Sequence, residues 1–271
     1  MITGGVDFAA DPKRTALCSI DWSNGEVTVS DGAVDDDAIV ELAHRAKLSG
    51  WDVPLGWPDA FVGAIGRHHV DPMPANDAAS VEGGAATGVI EAGPDARRLM
   101  RYRLTDRRFV ESSAGGRWPL SVSTDLIGVP ALRSAALQQR LLQEGLRVDR
   151  SGVGGVVAEA YPAGALAAWG WPSRGYKGAD GASIRADLVN RLADALRSLR
   201  LTDDVRQALT DSDDRLDALV CALIARAVIT GRGTPPPSAD LPVARREGWI
   251  HTCAVAPSML EHTDSRGRLS R

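Results

Sequence analysis

Residues 4–10, with the sequence GGVDFAA, place a carboxylate in the middle of an apolar run. The run predicts a buried strand with Asp7 at its centre. An ionised carboxylate that leaves water without a partner carries a large free-energy cost. Asp7 therefore requires a compensating group, which must be either a side chain elsewhere in the chain or a metal ion.

The segments around this strand predict an alternation of strands and helices. An Asn24-Gly25 pair between two apolar runs is a β-hairpin signal, so the first three strands form a meander. Acidic first turns and apolar stripes at helical spacing mark the helices. The predicted elements are strands at 4–10, 14–22, 27–30, 50–58 and 154–162 and helices at 35–48, 130–145, 183–199 and 211–231.

This order predicts an α/β fold with a mixed five-stranded sheet and helices on both faces. A three-strand meander comes first, and helices alternate with strands after it. We expect a single domain over residues 1–271, with an insertion at about 59–153 between strands four and five. Residues from about 232 onward, which begin with a Pro- and Gly-rich linker, are interpreted as a C-terminal tail.

Composition narrows the class of protein. The net charge is −4 and the pI is about 5.8, so a globally basic nucleic-acid binder is not indicated. Three widely spaced cysteines form no zinc or disulfide pattern and fit a reducing compartment. Neither a signal peptide nor a membrane span is recognised, so we expect a cytoplasmic protein. The sequence does not indicate the oligomeric state.

Acidic residues occur at corresponding places in the predicted elements. Asp7 and Asp52 lie in strands one and four, which the meander makes neighbours, and Glu159 lies in strand five. Asp214 and Asp217 are three residues apart and share a face of the last helix. Carboxylates that converge in a low-dielectric site require cations. Oxygen ligands favour Mg²⁺ or Mn²⁺, and a pair of such ions is a device for phosphoryl transfer.

The alternative interpretation is that these acids have structural roles. Asp7 could accept backbone hydrogen bonds at a strand end, and Asp52 could cap a turn. Glu159 could pair with an arginine, and Asp214 could stabilise a helix N-terminus. Six arginines lie at residues 97–108, where Tyr102 and Leu104 alternate with them as in a strand with one solvated face. Arg101 and Arg103 are candidate phosphate contacts, although a charged run is usually a solvated surface.

The order of strands and acids is similar to that of the ribonuclease-H-like superfamily, and the sequence around Asp214–Ala218 resembles the last helix of RuvC-type resolvases. More closely, the chain resembles the family called domain of unknown function 429, which is predicted to contain ribonuclease-H-like nucleases. The resemblance rests on GVDFA (5–9), WDVPLGWP (51–58), YRLTDR (102–107), EAYPAG (159–164), GYK (175–177), DALVCALIAR (217–226) and EGWI (247–250).

The resemblance implies a metal-dependent nuclease that acts on DNA or RNA. The expected catalytic residues are Asp7, Asp52, Glu159 and Asp217, and the expected metal ligands are Asp7, Asp52, Asp214 and Asp217. Resolvases have a glutamate on strand four, so either Asp52 or Glu159 completes the site. The expected substrate contacts are Arg101, Arg103, Thr105, Asp106, Tyr161 and Lys177.

Two other classes of function remain open from the sequence. The glycines beside Asp7 resemble the phosphate-cradling first strand of actin-like and sugar-kinase-like enzymes, but a second copy of that motif is not found. The fold could also serve as a non-catalytic nucleic-acid-binding module. Metal-dependent cleavage of nucleic acid would indicate the nuclease, and hydrolysis of ATP would indicate the actin-like or sugar-kinase-like enzyme. The absence of both activities would indicate the binding module.

Overall fold

The structure is a computed structural model that describes residues 1–69, 94–112, 118–253 and 255–261. Most of the segment 71–96, which the sequence predicts as a loop, lies outside these residues. The strands are β1 (Ile2–Asp7), β2 (Ala16–Asp21), β3 (Glu26–Val29), β4 (Leu48–Asp52), β5 (Val157–Ala160) and β6 (Ile250–His251). The helices are α1 (Asp36–Arg45), α2 (Asp59–His69), α3 (Pro94–Arg101), α4 (Leu104–Ser112), α5 (Gly128–Gln143), α6 (Pro162–Ala168), α7 (Ala182–Ala195), α8 (Asp203–Asp211), α9 (Asp213–Ile229) and α10 (Leu241–Glu247).

The strands of these residues form one mixed sheet in the order β3-β2-β1-β4-β5-β6. The first three strands are an antiparallel meander, and β1, β4, β5 and β6 are parallel. Gly25 adopts a φ of 77° in the predicted hairpin, which favours glycine. The predicted pairing of strands one and four is confirmed. The mixed α/β class is also confirmed, but the sheet has six strands rather than five.

The sixth strand comes from the segment that the sequence predicts as a tail. After the Pro-rich stretch, α10 leads into β6, and β6 pairs with β5 in parallel, Glu159 opposite Ile250. A two-residue strand carries no periodicity that a sequence pattern can detect. The C-terminal region is therefore part of the sheet at least as far as His251.

Strand ends also differ from the prediction, and the difference moves Asp7 from the middle of a strand to its end. β1 begins at Ile2 and ends at Asp7, so Asp7 is the last residue of the strand and not its centre. β4 likewise ends at Asp52 instead of running to Pro58. Both aspartates are partly exposed where their strands end, while the residues before them are buried.

Helices cover both faces of the sheet, as predicted. Helix α9 is buried almost throughout and packs on one face, with α7 and α8 in the same apolar cluster. Helices α1 and α5 contribute to the apolar cluster on the other face. Helix α5 lies inside the predicted insertion and still belongs to the core. Within the described residues, no helix is both long and apolar enough to cross a membrane.

Two glycines allow α9 to lie directly against the sheet. A Cβ atom built at Gly5 would lie 1.9 Å from the carbonyl oxygen of Ala218, and one at Gly50 would lie 2.3 Å from that of Cys221. Real Cβ atoms do not approach a backbone oxygen so closely. Glycine at both positions therefore sets how near α9, and with it Asp217, comes to β1 and β4.

Gly5→Ala should lower the free energy of unfolding by about 3 kcal/mol, because α9 must move away from the sheet. Gly4→Ala is the matched control in the same strand. Its Cβ would face the other side and meet side-chain atoms of Leu42 and Ser49 at 2.9 Å, which can adjust, so we expect a loss of about 1 kcal/mol. Urea unfolding measures both values. Equal losses would show that the close packing of α9 on β1 does not limit stability.

Candidate metal centre

The strand register brings two aspartates side by side. Asp7 is paired with Asp52 in the parallel β1–β4 ladder, and both are terminal residues of their strands. The glycines two residues earlier, Gly5 and Gly50, contact α9. Because side chains two apart in a strand share a face, both carboxylates lie on the α9 side of the sheet.

Helix α9 supplies the third carboxylate. Asp217 is fully buried one turn inside the helix, whose N-terminus is capped by the Ser212 hydroxyl. One carboxylate oxygen from each of Asp7, Asp52 and Asp217 lies within 4.8 Å of the other two, and we call these residues the Asp triad. Oxygen ligands bind divalent cations at roughly 2.0–2.6 Å, so ligands on opposite sides of one ion are about 4–5 Å apart.

The three carboxylates differ in their partners. The Tyr176 hydroxyl donates a hydrogen bond to Asp217 Oδ1 at 2.9 Å, and the Lys177 ammonium contacts Asp217 Oδ2. Asp7 and Asp52, by contrast, make no hydrogen bond or ion pair through their side chains to any residue that the structure describes. The triad thus holds one neutralised and two uncompensated carboxyl groups.

Burial is the main cause of the altered acidity of the triad. It raises the pKa of Asp7 well above the usual aspartate value, and the charges of Asp217 and Asp52 raise it further. Burial raises the pKa of Asp52 to about 7, against the lowering effect of Lys177. It also raises the pKa of Asp217, which Lys177 and Tyr176 counteract. Such shifts arise where buried carboxyl groups lack compensating positive charge, which a bound cation would supply.

The donor set fits a hard divalent cation. All three side chains offer carboxylate oxygens, which suit Mg²⁺ and Mn²⁺, and within the described segments no histidine or cysteine belongs to the group. The two carboxyl groups without partners and their raised pKa values indicate that the site lacks positive charge. The Asp triad would hold the metal, and Lys177 supplies part of the compensating charge.

Glu159 does not join the triad. It is paired with Trp51 in the β4–β5 ladder, one residue out of step with Asp52, so it lies on the opposite face of the sheet from α9. Its carboxylate accepts two hydrogen bonds from the Arg103 guanidinium, at 2.6 and 2.7 Å, and one from the backbone N–H of Leu55. Of the two candidates to complete the site, the structure therefore places Asp52 with Asp7, whereas Glu159 pairs with an arginine of residues 97–108.

Asp214, the fourth expected metal ligand, is not part of the triad. Its carboxylate lies 3.8 Å from the Arg14 guanidinium near the protein surface. Its negative charge contributes to the raised pKa of Asp7, so the two groups are neighbours. A role for Asp214 with a second ion stays a prediction.

The arginine run forms two helices, α3 and α4, rather than a strand. Arg103 is buried between them, where it forms ion pairs with Asp106 and Glu159 and donates to the Glu247 carbonyl oxygen. It is therefore engaged in the protein interior and unable to contact phosphate without breaking these pairs. Arg101 is exposed, with its guanidinium over the Tyr102 ring.

The two neighbours of Arg103 in the family motif also have structural contacts. Asp106 is fully buried against Arg103, and its Oδ2 accepts the backbone N–H of Arg103 at 2.8 Å. The Thr105 hydroxyl accepts the backbone N–H of Ile250 and so fixes β6. These contacts account for Thr105 and Asp106 without a substrate.

A cavity of about 540 Å³ opens beside the triad. Tyr161 and Lys177, both expected substrate contacts, line it together with the triad, as do Arg103 and Glu159. Arg174 also lines the cavity, although it is not among the substrate contacts that the sequence predicts. Its position three residues before Lys177, beside the GYK motif, is the signal that could have indicated it.

These features define a carboxylate site at the ends of parallel strands, the usual place for ligands in open α/β sheets. The sequence model of the family described as "Protein of unknown function (DUF429)" matches residues 5–241. The chain belongs to this family. Comparisons with curated proteins and with solved structures found no match.

Proposed function

We propose that the protein is a divalent-metal-dependent nuclease of the ribonuclease-H-like type, which hydrolyses phosphodiester bonds with Mg²⁺ or Mn²⁺ held by the Asp triad. The observation that carries the proposal is the convergence of three carboxylates, two of them without partners among the described residues, beside an open cavity. The strand order β3-β2-β1-β4-β5, with acids at the ends of β1 and β4 and in the covering helix, supports the type of fold.

Each residue of the site has a distinct role in this proposal. The Asp triad would hold the metal, which would supply Lewis acidity for the attack of water on a phosphodiester. Tyr176 and Lys177 hold the Asp217 carboxylate in place through both of its oxygens. Burial lowers the pKa of Lys177, but the negative charges of the triad together outweigh this effect and raise the pKa above its ordinary value, so the ammonium stays protonated. Lys177, half of whose side chain is exposed, contacts the phosphate of the substrate from the cavity side.

The alternative of an actin-like or sugar-kinase-like enzyme gains no support. Such enzymes use two copies of the core, whereas the strands of the described segments form one sheet. The non-catalytic binding module remains the outcome to be separated by experiment.

The test is metal-dependent cleavage by the purified protein. Labelled single-stranded and duplex DNA and RNA are incubated with Mg²⁺, Mn²⁺ or EDTA, and Mn²⁺ binding is measured by calorimetry. We expect cleavage with either cation, none with EDTA, and an increase in melting temperature as Mn²⁺ saturates the site. A stoichiometry of two ions, reduced to one by Asp214→Asn, would support the predicted metal pair. Mn²⁺ binding without any cleavage would favour the non-catalytic module.

A further inference from the structure

The cavity beside the Asp triad has an apolar side as well as an acidic one. It is lined by Phe8, Pro54, Leu120, Ile127 and Tyr161, which we call the apolar wall, and by the triad itself. Phe8 directly follows β1, Pro54 lies two residues after the end of β4, and Tyr161 directly follows β5. The wall and the carboxylates therefore meet at the same edge of the sheet. A volume of about 540 Å³ lies within the range of pockets that enclose small molecules, roughly 300–1,000 Å³.

Besides Arg103, which is held by Asp106 and Glu159, two cationic side chains line the cavity. Lys177 is engaged by Asp217, whereas Arg174 makes no hydrogen bond or ion pair within the described ranges. Arg174 is exposed and has no other partner there, so it can bind an anion without breaking an existing contact. A guanidinium suits a phosphate because it can donate two parallel hydrogen bonds.

The apolar wall offers an aromatic surface for a base. Tyr161 is half-buried, and its ring packs edge-on against Phe109 at 5.1 Å, which fixes its orientation. Leu120, with 57% of its surface exposed, extends this wall toward solvent. Bases stack on such rings when they are unpaired, because a paired base keeps both faces within the duplex.

From this lining we infer that the cavity binds one nucleoside monophosphate unit, with the base against the apolar wall and the phosphate beside Lys177 and Arg174, where a cation held by the Asp triad would offset the charge of the carboxylates. The inference rests on the proposed function and specifies its substrate class. The unit belongs either to an unpaired strand or to a free nucleotide. A duplex is excluded as a direct substrate, since its bases would have to leave the stack to enter the cavity.

Binding is tested with AMP and ribose 5-phosphate as probes, each titrated into the full-length protein in the presence of Mn²⁺. We expect AMP to bind roughly tenfold more tightly than ribose 5-phosphate, because only AMP carries a base that can stack. Leu120→Gln should reduce this ratio several-fold. Leu126→Gln is the matched control, since Leu126 is 90% exposed and does not line the cavity. Arg174→Gln should weaken the binding of both probes, whereas Arg191→Gln, on the surface of α7, should change the affinity for neither.

Cleavage assays then show whether the bound nucleotide unit comes from an unpaired strand or is a free nucleotide. They also separate failure of the nuclease proposal from failure of the cavity proposal. Cleavage of single strands at least tenfold faster than duplex, with loss of the preference in Leu120→Gln, supports an unpaired strand. A base-dependent, Leu120-dependent affinity without cleavage of any strand supports a free nucleotide and overturns the nuclease. Equal affinities of the two probes, together with equal cleavage of single strands and duplex, would overturn the inference and leave the nuclease intact.

Discussion

Replacing Arg103 with methionine should lower the free energy of unfolding by about 3–5 kcal/mol. Arg103 is 1% exposed, and its guanidinium bridges two buried carboxylates, with hydrogen bonds of 2.6–3.2 Å to Asp106 and Glu159. Methionine fills a similar volume but leaves both carboxylates in the interior without their cation. The loss is measured by urea unfolding monitored through tryptophan fluorescence.

The pH dependence of this loss identifies its cause. Burial raises the pKa of Glu159 above its usual value even though Arg103 opposes the shift. Without Arg103 the pKa rises further. A carboxyl group with a higher pKa in the folded than in the unfolded protein binds more protons when folded, so stability decreases as pH increases. The deficit of Arg103→Met should therefore be largest at neutral pH and shrink toward about pH 4.3, the ordinary glutamate range.

Arg101→Met is the matched control. This arginine lies two residues earlier, is exposed and only covers the Tyr102 ring at 5.2 Å, so we expect a loss of about 1 kcal/mol or less. The double variant Arg103→Met/Glu159→Gln should recover part of the lost stability, because it removes one of the two uncompensated charges. A deficit that is independent of pH and equal in Arg101→Met would contradict the role of Arg103 as the counter-ion.

The same residue shows where sequence patterns stop being informative. The spacing of the arginines in residues 97–108 is compatible with a solvated surface, a phosphate-binding surface or a buried ion pair. The partners that decide between these, Glu159 and the Glu247 carbonyl oxygen, are distant in the chain. A pattern that is local in sequence cannot reveal contacts that the tertiary structure creates.

The acids show which positions a sequence pattern can assign and which it cannot. Asp217 could be predicted because a charge one turn inside an apolar helix is rare, and Asp7 and Asp52 because the meander makes their strands neighbours. Glu159 could not be assigned to a face of the sheet, because that face depends on the register of the β4–β5 pairing. A shift of one residue in the β4–β5 pairing would exchange Glu159 with Ala160 and move the carboxylate to the other face.

The largest effect on activity is expected in the Asp triad. Asp7→Asn and Asp217→Asn should each reduce metal-dependent cleavage by about three orders of magnitude or more, because each removes a charged metal ligand while keeping the size of the side chain. Both variants should also lose most of the melting-temperature increase that Mn²⁺ produces. The control is Asp187→Asn, on the surface of α7, where Asp187 forms an ion pair with Arg191. This variant should keep both the cleavage activity and the melting-temperature increase with Mn²⁺.

Stability without metal should change in opposite directions in these two variants. Asp7 has no partner of its own among the residues described and faces the charges of Asp217 and Asp52, so Asp7→Asn removes repulsion and should raise the free energy of unfolding by up to about 1 kcal/mol. Asp217 is held by the Tyr176 hydroxyl and the Lys177 ammonium. Asp217→Asn leaves the ammonium facing an amide and should lower stability by about 1–3 kcal/mol.

Urea unfolding in the presence of EDTA measures both changes, with Asp187→Asn as the reference for losing a surface carboxylate. The opposite signs follow from the partners of the two ligands: Asp7 has no counter-charge of its own among the described residues, whereas Asp217 is already paired with Tyr176 and Lys177. A clear loss of metal-free stability in Asp7→Asn, with the Mn²⁺ response intact, would mean that Asp7 is a structural acid. The Asp triad would then lack one of its two uncompensated carboxylates, and the proposed nuclease would lose the observation that carries it.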